Sequence, residues 1–304
     1  VLPLADVDYH APDRLDDALA LLAAPGSVAL AGGTDLVPSM KMGLHRPARL
    51  VSLRRLGLRG VRVAAELVIG AGATLRELQR SESVQRHLPA LAAACATVGT
   101  PTIQNAATLG GNLLLDTRCV YYNQPAGWRA QVGGCLKADG AVCHVAPRQS
   151  ACWATQSSDT VPVLWLADAR LRVVDLAGER EVPVRGLFGP DGRTWRAALP
   201  PGAVVTEIRV PLAVSEIRHE KVRLRQAIDF GAVLVAVTAR DGAWEAVIGA
   251  VGPQPIAVSA ADPEALAEAA ARACYPLGTQ LSPAWWRKRM VRVAVQRAAA
   301  ALGH

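Results

Sequence analysis

Four cysteines, Cys119, Cys135, Cys143 and Cys152, fall within the stretch DTRCVYYNQPAGWRAQVGGCLKADGAVCHVAPRQSACWATQSSD (residues 116–159), separated by 15, 7 and 8 residues. The stretch carries few aliphatic side chains, and Asn123-Gln-Pro-Ala-Gly, Gly133-Gly134 and Asp139-Gly140 read as turns. It cannot bury a core of its own, so something else must hold its shape. Four thiolates on a common metal centre would do so, because ligation contributes folding free energy directly. Structural zinc is the main competitor, but its ligands usually come in pairs two to four residues apart. None of these cysteines has such a neighbour. Disulfides, the second alternative, belong to oxidising compartments. His144, beside Cys143, reads as a hydrogen-bonding neighbour of the centre rather than a ligand. Trp128 and Trp153 are expected to pack over it and exclude water. Cys95 and Cys274 lie in alanine-rich helical patterns and read as small core residues.

Two glycine pairs supply a second chemistry. Ala31-Gly-Gly-Thr-Asp-Leu follows a short apolar strand and precedes a helix, and Thr108-Leu-Gly-Gly-Asn lies just before the cysteine stretch. Glycines at such turns let backbone amides approach a phosphate closely. Neither turn is a Gly-x-Gly-x-x-Gly fingerprint or a P-loop. Each alone reads as an ordinary structural turn. Together, flanked by Thr34, Asp35, Thr108 and Asn112, they suit a long diphosphate-bearing cofactor gripped at several points.

The elements that must position these residues follow from periodicity. Helices are expected over 17–22 (introduced by Pro12-Asp13), 36–42, 75–81 and 88–98, with strands over 27–31, 49–53 and 67–72. Beyond Asp159, strands are expected over 161–166, 171–174, 181–183 and 204–210, then a linker over 214–220. Strands over 221–227, 232–240 and 243–251 and helices over 262–273 and 283–301 complete the chain. Strands followed by helices imply a separate α+β unit at the C-terminal end.

Composition narrows the function classes. Hydrophobic residues make up 51% of the 304, enough for sizeable cores, and net charge is +7. The basic residues are scattered and lack aromatic interleaving, so nucleic-acid binding is not expected, whereas a basic face toward anionic substrates or acidic partners is. No apolar run approaches the roughly 18 residues of a membrane helix, and no membrane association is expected. VLPLADVDYHAPDRL shows no basic stretch ahead of an apolar core. A cytoplasmic protein is expected. No Ser/His/Asp or Cys/His arrangement, paired carboxylates, molybdopterin pattern or [2Fe–2S] pattern emerges, and no catalytic residue is assigned.

The segments AGGTDLVPSMKMG, GAGATLREL, ATVGTPTIQNAATLGGN, SSDTVPVLWLADARLRV and KVRLRQAIDFGAVLVAV, in that order, resemble the flavoprotein subunit of the xanthine dehydrogenase/carbon monoxide dehydrogenase family of molybdenum hydroxylases. The resemblance implies an α+β chain. A two-part FAD-binding domain of the vanillyl-alcohol-oxidase type would span 1–213, with subdomains of about 1–54 and 55–213, before a smaller α+β domain over 214–304. Val28, Ala29, Leu30, Ala31, Gly32, Gly33, Thr34 and Asp35 would wrap the FAD diphosphate. Thr108, Leu109, Gly110, Gly111 and Asn112 would form the second cradle. Asp159 would meet the polar portion of the cofactor, Val205 would offer a backbone contact to the ring system, and Lys221 would stand near the isoalloxazine.

Residues 116–157 interrupt the family pattern and are similar to the insertion of the 4-hydroxybenzoyl-CoA reductase family, which holds a [4Fe–4S] cluster on four cysteines. What this implies is an electron-transfer subunit joined to a large molybdenum-cofactor subunit and a small [2Fe–2S] subunit in an (αβγ)2 heterohexamer. Electrons from a donor such as ferredoxin would pass from [4Fe–4S] to FAD, to [2Fe–2S] and to molybdenum, removing the phenolic hydroxyl of 4-hydroxybenzoyl-CoA. The alternative is a subunit of a xanthine, CO or aldehyde dehydrogenase-like enzyme working oxidatively. A zinc-stabilised, flavin-free scaffold is the reading from a different class.

Overall fold

The structure is a computed structural model that describes every residue except 1, 2, 5, 226, 227, 280, 281, 303 and 304. Short apolar strands alternate with helices at the start: β1 (Asp8–His10), α1 (Leu15–Leu22), β2 (Ser27–Leu30), α2 (Leu36–Lys41) and β3 (Arg49–Ser52). Parallel neighbours need crossover connections, and α1 and α2 supply them for a sheet ordered β1-β3-β2. The apolar stripe of α1 (Ala18, Leu19, Leu22) packs on Val51 and, from far along the chain, on Val204. The first glycine turn therefore leaves the end of β2 on a firm base.

The next strands are β4 (Val61–Val63) and β5 (Glu66–Gly70), followed by α3 (Leu75–Arg80), α4 (Glu82–His87), α5 (Pro89–Ala96), α6 (Pro101–Gln104) and α7 (Leu109–Leu113). Thr74 starts α3 with a capping box: its hydroxyl accepts from the Glu77 amide, and the Glu77 carboxylate accepts from the Thr74 amide. Within the cysteine stretch lies one helix, α8 (Ala126–Gln131). Then come α9 (Val161–Leu166), β6 (Arg170–Asp175), β7 (Gly178–Pro183) and β8 (Val204–Pro211). The sheet β4-β5-β8-β6-β7 is antiparallel throughout. Leu75, Leu78, Leu91, Leu109, Leu164, Leu171 and Ile208 are fully buried over it.

Residues 161–166 form a helix, not the expected strand. Val161, Pro162, Val163, Leu164 and Leu166 are all buried, and a short run apolar on every side has no period that separates helix from strand. Pro162 in the first turn favours the helix, where its missing N–H goes unneeded. The buried surround explains the uniform apolarity: α9 packs between the five-stranded sheet and the strands described next.

β9 (Ile217–Val222), β10 (Val233–Arg240), β11 (Ala243–Gly249) and β12 (Ile256–Ala260) make an antiparallel sheet ordered β12-β11-β10-β9. α10 (Pro263–Ala273) and α11 (Ala284–Ala300) cover one face, burying Leu266, Ala267, Ala270, Val291, Ala294, Val295 and Ala298. The expected linker at 214–220 already enters β9 at Ile217, paired with Thr238. The strand expected over 221–227 instead ends at Val222, and residues 226 and 227 lie outside the described residues. β12 was not expected; its residues alternate between half-buried and exposed at the sheet edge. Cys95 and Cys274 are core residues, both fully buried. Among the described residues no helix is long and apolar enough to cross a membrane.

Arg287 ties this last unit together. Its guanidinium is buried and donates to the carbonyls of Ala232 (3.0 and 2.8 Å), Leu277 (2.5 Å) and Ala250, with no carboxylate partner among the described residues. Three carbonyls at loop ends thus depend on one fork of donors. Replacing Arg287 with Met should lower stability by about 3 kcal/mol, the scale of losing charged hydrogen bonds to buried acceptors. Urea unfolding would read the loss, and Arg287→Lys should recover only part of it.

Candidate functional site: a cofactor cleft and a cysteine nest

Both glycine turns open onto one cleft of about 1130 Å³, larger than the roughly 300–1,000 Å³ of pockets for drug-sized ligands. Their mutual approach requires glycine. A Cβ on Gly32 would stand 2.0 Å from the Ala106 carbonyl oxygen, and Gly33 has φ +71°. The second turn is fixed from the other side: Leu75 N–H donates to Ala107 O, Leu109 N–H to Ala73 O and Gly110 N–H to Ala71 O, each at 2.9 Å. Gly70 and Gly72 let this floor touch Leu58 O, which a Cβ would approach to 2.5 and 2.8 Å. Sequence reasoning took 70–74 as strand and loop only. The signal was present in the repeated small residues of GAGAT.

Every residue expected to hold the cofactor lines the cleft except Leu30 and Leu109. Leu30 sits behind the first turn against Gly33, and Leu109 is fully buried in the main core. Several side chains have local duties. Thr108 Oγ1 accepts from the Gly111 amide at 3.1 Å and so starts α7. Asn112 Oδ1 accepts from the hydroxyls of Ser158 and Thr160, both at 2.9 Å, tying the second turn to 158–160. Asp35 accepts from Arg118 at 2.7 Å through both oxygens. An unpaired carboxylate there would repel a diphosphate; Arg118 neutralises it.

Lys221 is not a free cation. Its Nζ lies 2.7 Å from Asp159 Oδ1 and donates to Thr97 O at 3.0 Å, with the side chain 4% exposed. Burial pushes the Asp159 carboxyl up, and Lys221 pulls against it. What faces the cleft at this point is an ion pair. The cations that sequence reasoning missed are Arg54 and Arg196, which line the cleft with no carboxylate within ion-pair distance among the described residues; Arg196 has its guanidinium 5.0 Å from the Trp195 ring. Its loop (189–199) has no motif, so only the fold brings it to the cofactor.

The cysteines lie beside this cleft. Cys135, Cys143 and Cys152 are buried and Cys119 half-buried. Cys119 interacts electrostatically with Cys135 and Cys143, and Cys152 with Cys119 and Cys143, so the four share one neighbourhood. They are not drawn into a ligand set: among the described residues, no three His, Cys, Asp or Glu side chains are grouped closely enough to hold a metal. The donor chemistry fits a thiolate-ligated centre. Burial pushes the Cys119 thiol up and the Cys152 thiol to about 11, and the neighbouring sulfurs add to both shifts. Only a cationic centre would make four crowded thiolates stable together. Amides are already aimed at two sulfurs, Tyr122 N–H at Cys119 and Ala154 N–H at Cys152, each 3.4 Å. His144 Nε2 is 2.7 Å from Gly134 O and its ring stacks on Tyr121, which fixes the imidazole beside Cys143. Trp128 packs on Tyr121 and stays partly exposed, and Trp153 leans on the 251–254 turn of the C-terminal unit.

Residues 5–213 match the family model described as the FAD binding domain in molybdopterin dehydrogenase. The chain belongs to this family. Its members include the FAD-binding subunits of xanthine and CO dehydrogenases, and the α+β fold agrees. CO dehydrogenase from Oligotropha carboxidovorans superposes with TM-score 0.76 at 24% identity, covering 99% of each chain. Quinoline 2-oxidoreductase from Pseudomonas putida 86 gives 0.77 at 19% identity, covering 99% of this chain and 98% of that one. In sequence, the aldehyde oxidoreductase FAD-binding subunit PaoB of Escherichia coli is 33% identical over 81% of each chain. The carbon monoxide dehydrogenase medium chain of Hydrogenophaga pseudoflava is 40% identical, over 35% of this chain and 38% of that one. As an FAD-binding subunit of a molybdenum hydroxylase, the chain serves electron transfer and works beside other subunits.

The Gly32–Ala106 approach yields a direct expectation. Gly32→Ala should purify with little or no flavin, seen as loss of visible absorbance at unchanged helix content. Gly127→Ala, where a Cβ meets nothing within 4 Å, should keep its flavin.

Proposed function

We propose that this chain carries FAD in the cleft and a [4Fe–4S] cluster on Cys119, Cys135, Cys143 and Cys152, as the electron-transfer subunit of a three-subunit molybdenum enzyme like 4-hydroxybenzoyl-CoA reductase. The observation that carries the reading is the gathering of four otherwise unpaired cysteines, three of them buried, against the wall of a flavin cleft. FAD exchanges electrons singly or in pairs and an iron–sulfur cluster singly, so the two join one-electron carriers to a two-electron reaction elsewhere. The chain's own residues bind, orient and insulate. The glycine turns admit the diphosphate, Arg118 removes the charge of Asp35, the Asp159–Lys221 pair presents a fixed dipole, and Tyr121 and His144 shape the cysteine loops. Molybdenum and [2Fe–2S] centres belong to a large and a small partner subunit in an (αβγ)2 assembly, with a ferredoxin-like donor for reductive work.

A second reading, oxidation of an aldehyde or related small substrate, has its own support. The match to the E. coli aldehyde oxidoreductase subunit covers 81% of this chain and therefore runs through 116–157, whereas the match to the CO dehydrogenase medium chain covers 35%. The purified complex decides between them under anaerobic conditions. Benzoyl-CoA formed from 4-hydroxybenzoyl-CoA and a strong reductant supports the first reading. Acid formed from aromatic aldehydes with an artificial acceptor, and no benzoyl-CoA, supports the second.

Both readings require about four irons and one FAD per chain. Cys135→Ser should abolish the cubane EPR signal of the dithionite-reduced protein and leave most of the flavin. One zinc with no flavin would instead mark a scaffold, and loss of flavin alone would mean that the ligands are misassigned.

A further inference from the structure

Between the cysteines and the cleft stands a group of charged and aromatic side chains that neither glycine turn nor ligand set accounts for. Lys137, two residues past Cys135, has its side chain only 8% exposed. Its Nζ donates to Asp116 Oδ1 at 2.8 Å, Thr117 O at 2.7 Å and Gly192 O at 3.0 Å, and contacts Thr117 Oγ1. The same ammonium lies 4.7 Å from the centre of the Tyr122 ring. Asp116 also accepts from Trp195 Nε1 at 2.9 Å, and His45 Nε2 stands 3.4 Å from its other oxygen. Burial pushes the Asp116 carboxyl up, but His45 and Lys137 outweigh it and hold it far below the usual carboxylate range. Lys137 and Asp116 thus form a largely buried ion pair.

Its position is what matters. Lys137, Asp116, Tyr122, Trp195 and His45 all line the cofactor cleft. On its other side Lys137 binds the carbonyl of Gly192, whose N–H donates to Cys152 O at 2.8 Å, and the Tyr122 N–H points at Cys119 Sγ. One buried cation thus borders both candidate redox sites. A purely structural lysine needs only its oxygens; this one is placed where its charge acts on electrons on either side.

We propose that the Lys137–Asp116 ion pair sets the reduction potential of the centre held by the four cysteines, Lys137 raising it and Asp116 lowering it. The proposal rests on the iron–sulfur reading above. Reduction adds one negative charge to such a centre, and in a poorly screened interior a nearby cation stabilises that charge while a nearby anion opposes it. Lys137 is a positioning and tuning residue; it is not a ligand.

The test is an EPR-monitored redox titration of the intact purified complex, with dithionite and mediators, for wild type, Lys137→Met, Lys137→Arg and Asp116→Asn. The cluster midpoint should move negative in Lys137→Met, move positive in Asp116→Asn and stay close to wild type in Lys137→Arg. Opposite shifts from the two halves of one pair are what a merely structural role does not produce. If both neutralised variants shift the same way, or neither shifts while iron and flavin content match wild type, the proposal is wrong. Should Lys137→Met fail to retain iron, Asp116→Asn and Lys137→Arg decide by the same signs. A wild-type complex without an iron–sulfur signal would overturn the cluster reading itself, and this inference with it.

Discussion

The close approach of two backbones, Gly32 against the Ala106 carbonyl, is the constraint on which the rest depends. It brings a turn from the three-stranded parallel sheet against a turn that rests on the five-stranded sheet. A side chain of any size at 32 would separate them. Once they meet, the cleft has phosphate-ready amides on two sides and a floor made by Gly70 and Gly72. The core contacts of α1 with Val204 hold the two sheets in that relation. Fold and site are therefore one problem here: the sheets exist apart, but the cleft exists only at their junction.

Charge in the cleft follows a common pattern. Asp35 is paired with Arg118, Asp159 with Lys221 and Asp116 with Lys137. Each of these acids has a cation partner, which for Asp35 and Asp159 comes from a distant part of the chain. Two of those cations, Arg118 and Lys137, come from the cysteine stretch. The cleft's electrostatics thus depend on the insertion, and an anion-binding surface left without it would carry Asp35 unneutralised. Arg54 and Arg196 line the cleft without an acid partner among the described residues, which suits an anionic occupant.

What could be read in the sequence was local. Glycine pairs at strand ends, the Thr74/Glu77 capping box and the amphipathic α1 and α10 are decided by residues a few positions apart, and these elements fall close to where periodicity puts them. The 161–166 segment was misread because burial on every side erases the period that tells helix from strand. Lys221 was legible as a site residue but not as half of an ion pair, since Asp159 lies in another unit of the fold. Lys137 lies in no motif of the sequence. Its role depends on Asp116 and on Trp195, which is 79 residues from that acid, and no local pattern encodes such a meeting. Trp153 meets the 251–254 turn for the same reason: that neighbour is far away along the chain.

The cysteine stretch also changes the argument from which its metal was inferred. Its lack of apolar residues suggested that ligation alone must shape it, yet the fold pins it at many polar points. Arg118 reaches Asp35, Arg129 donates to Gly43 O and Gln124 O, Thr117 Oγ1 donates to Gly192 O, and Gln156 N–H donates to Gly252 O. These contacts tie the stretch to both flavin-binding sheets and to the C-terminal unit. These bonds hold the stretch in addition to anything its sulfurs bind. What the pinning does provide is a fixed relation between the sulfurs and the cleft, since small displacements change the interaction energies of buried charges by large amounts. Such a fixed relation serves a redox site; a purely structural metal would gain nothing from it.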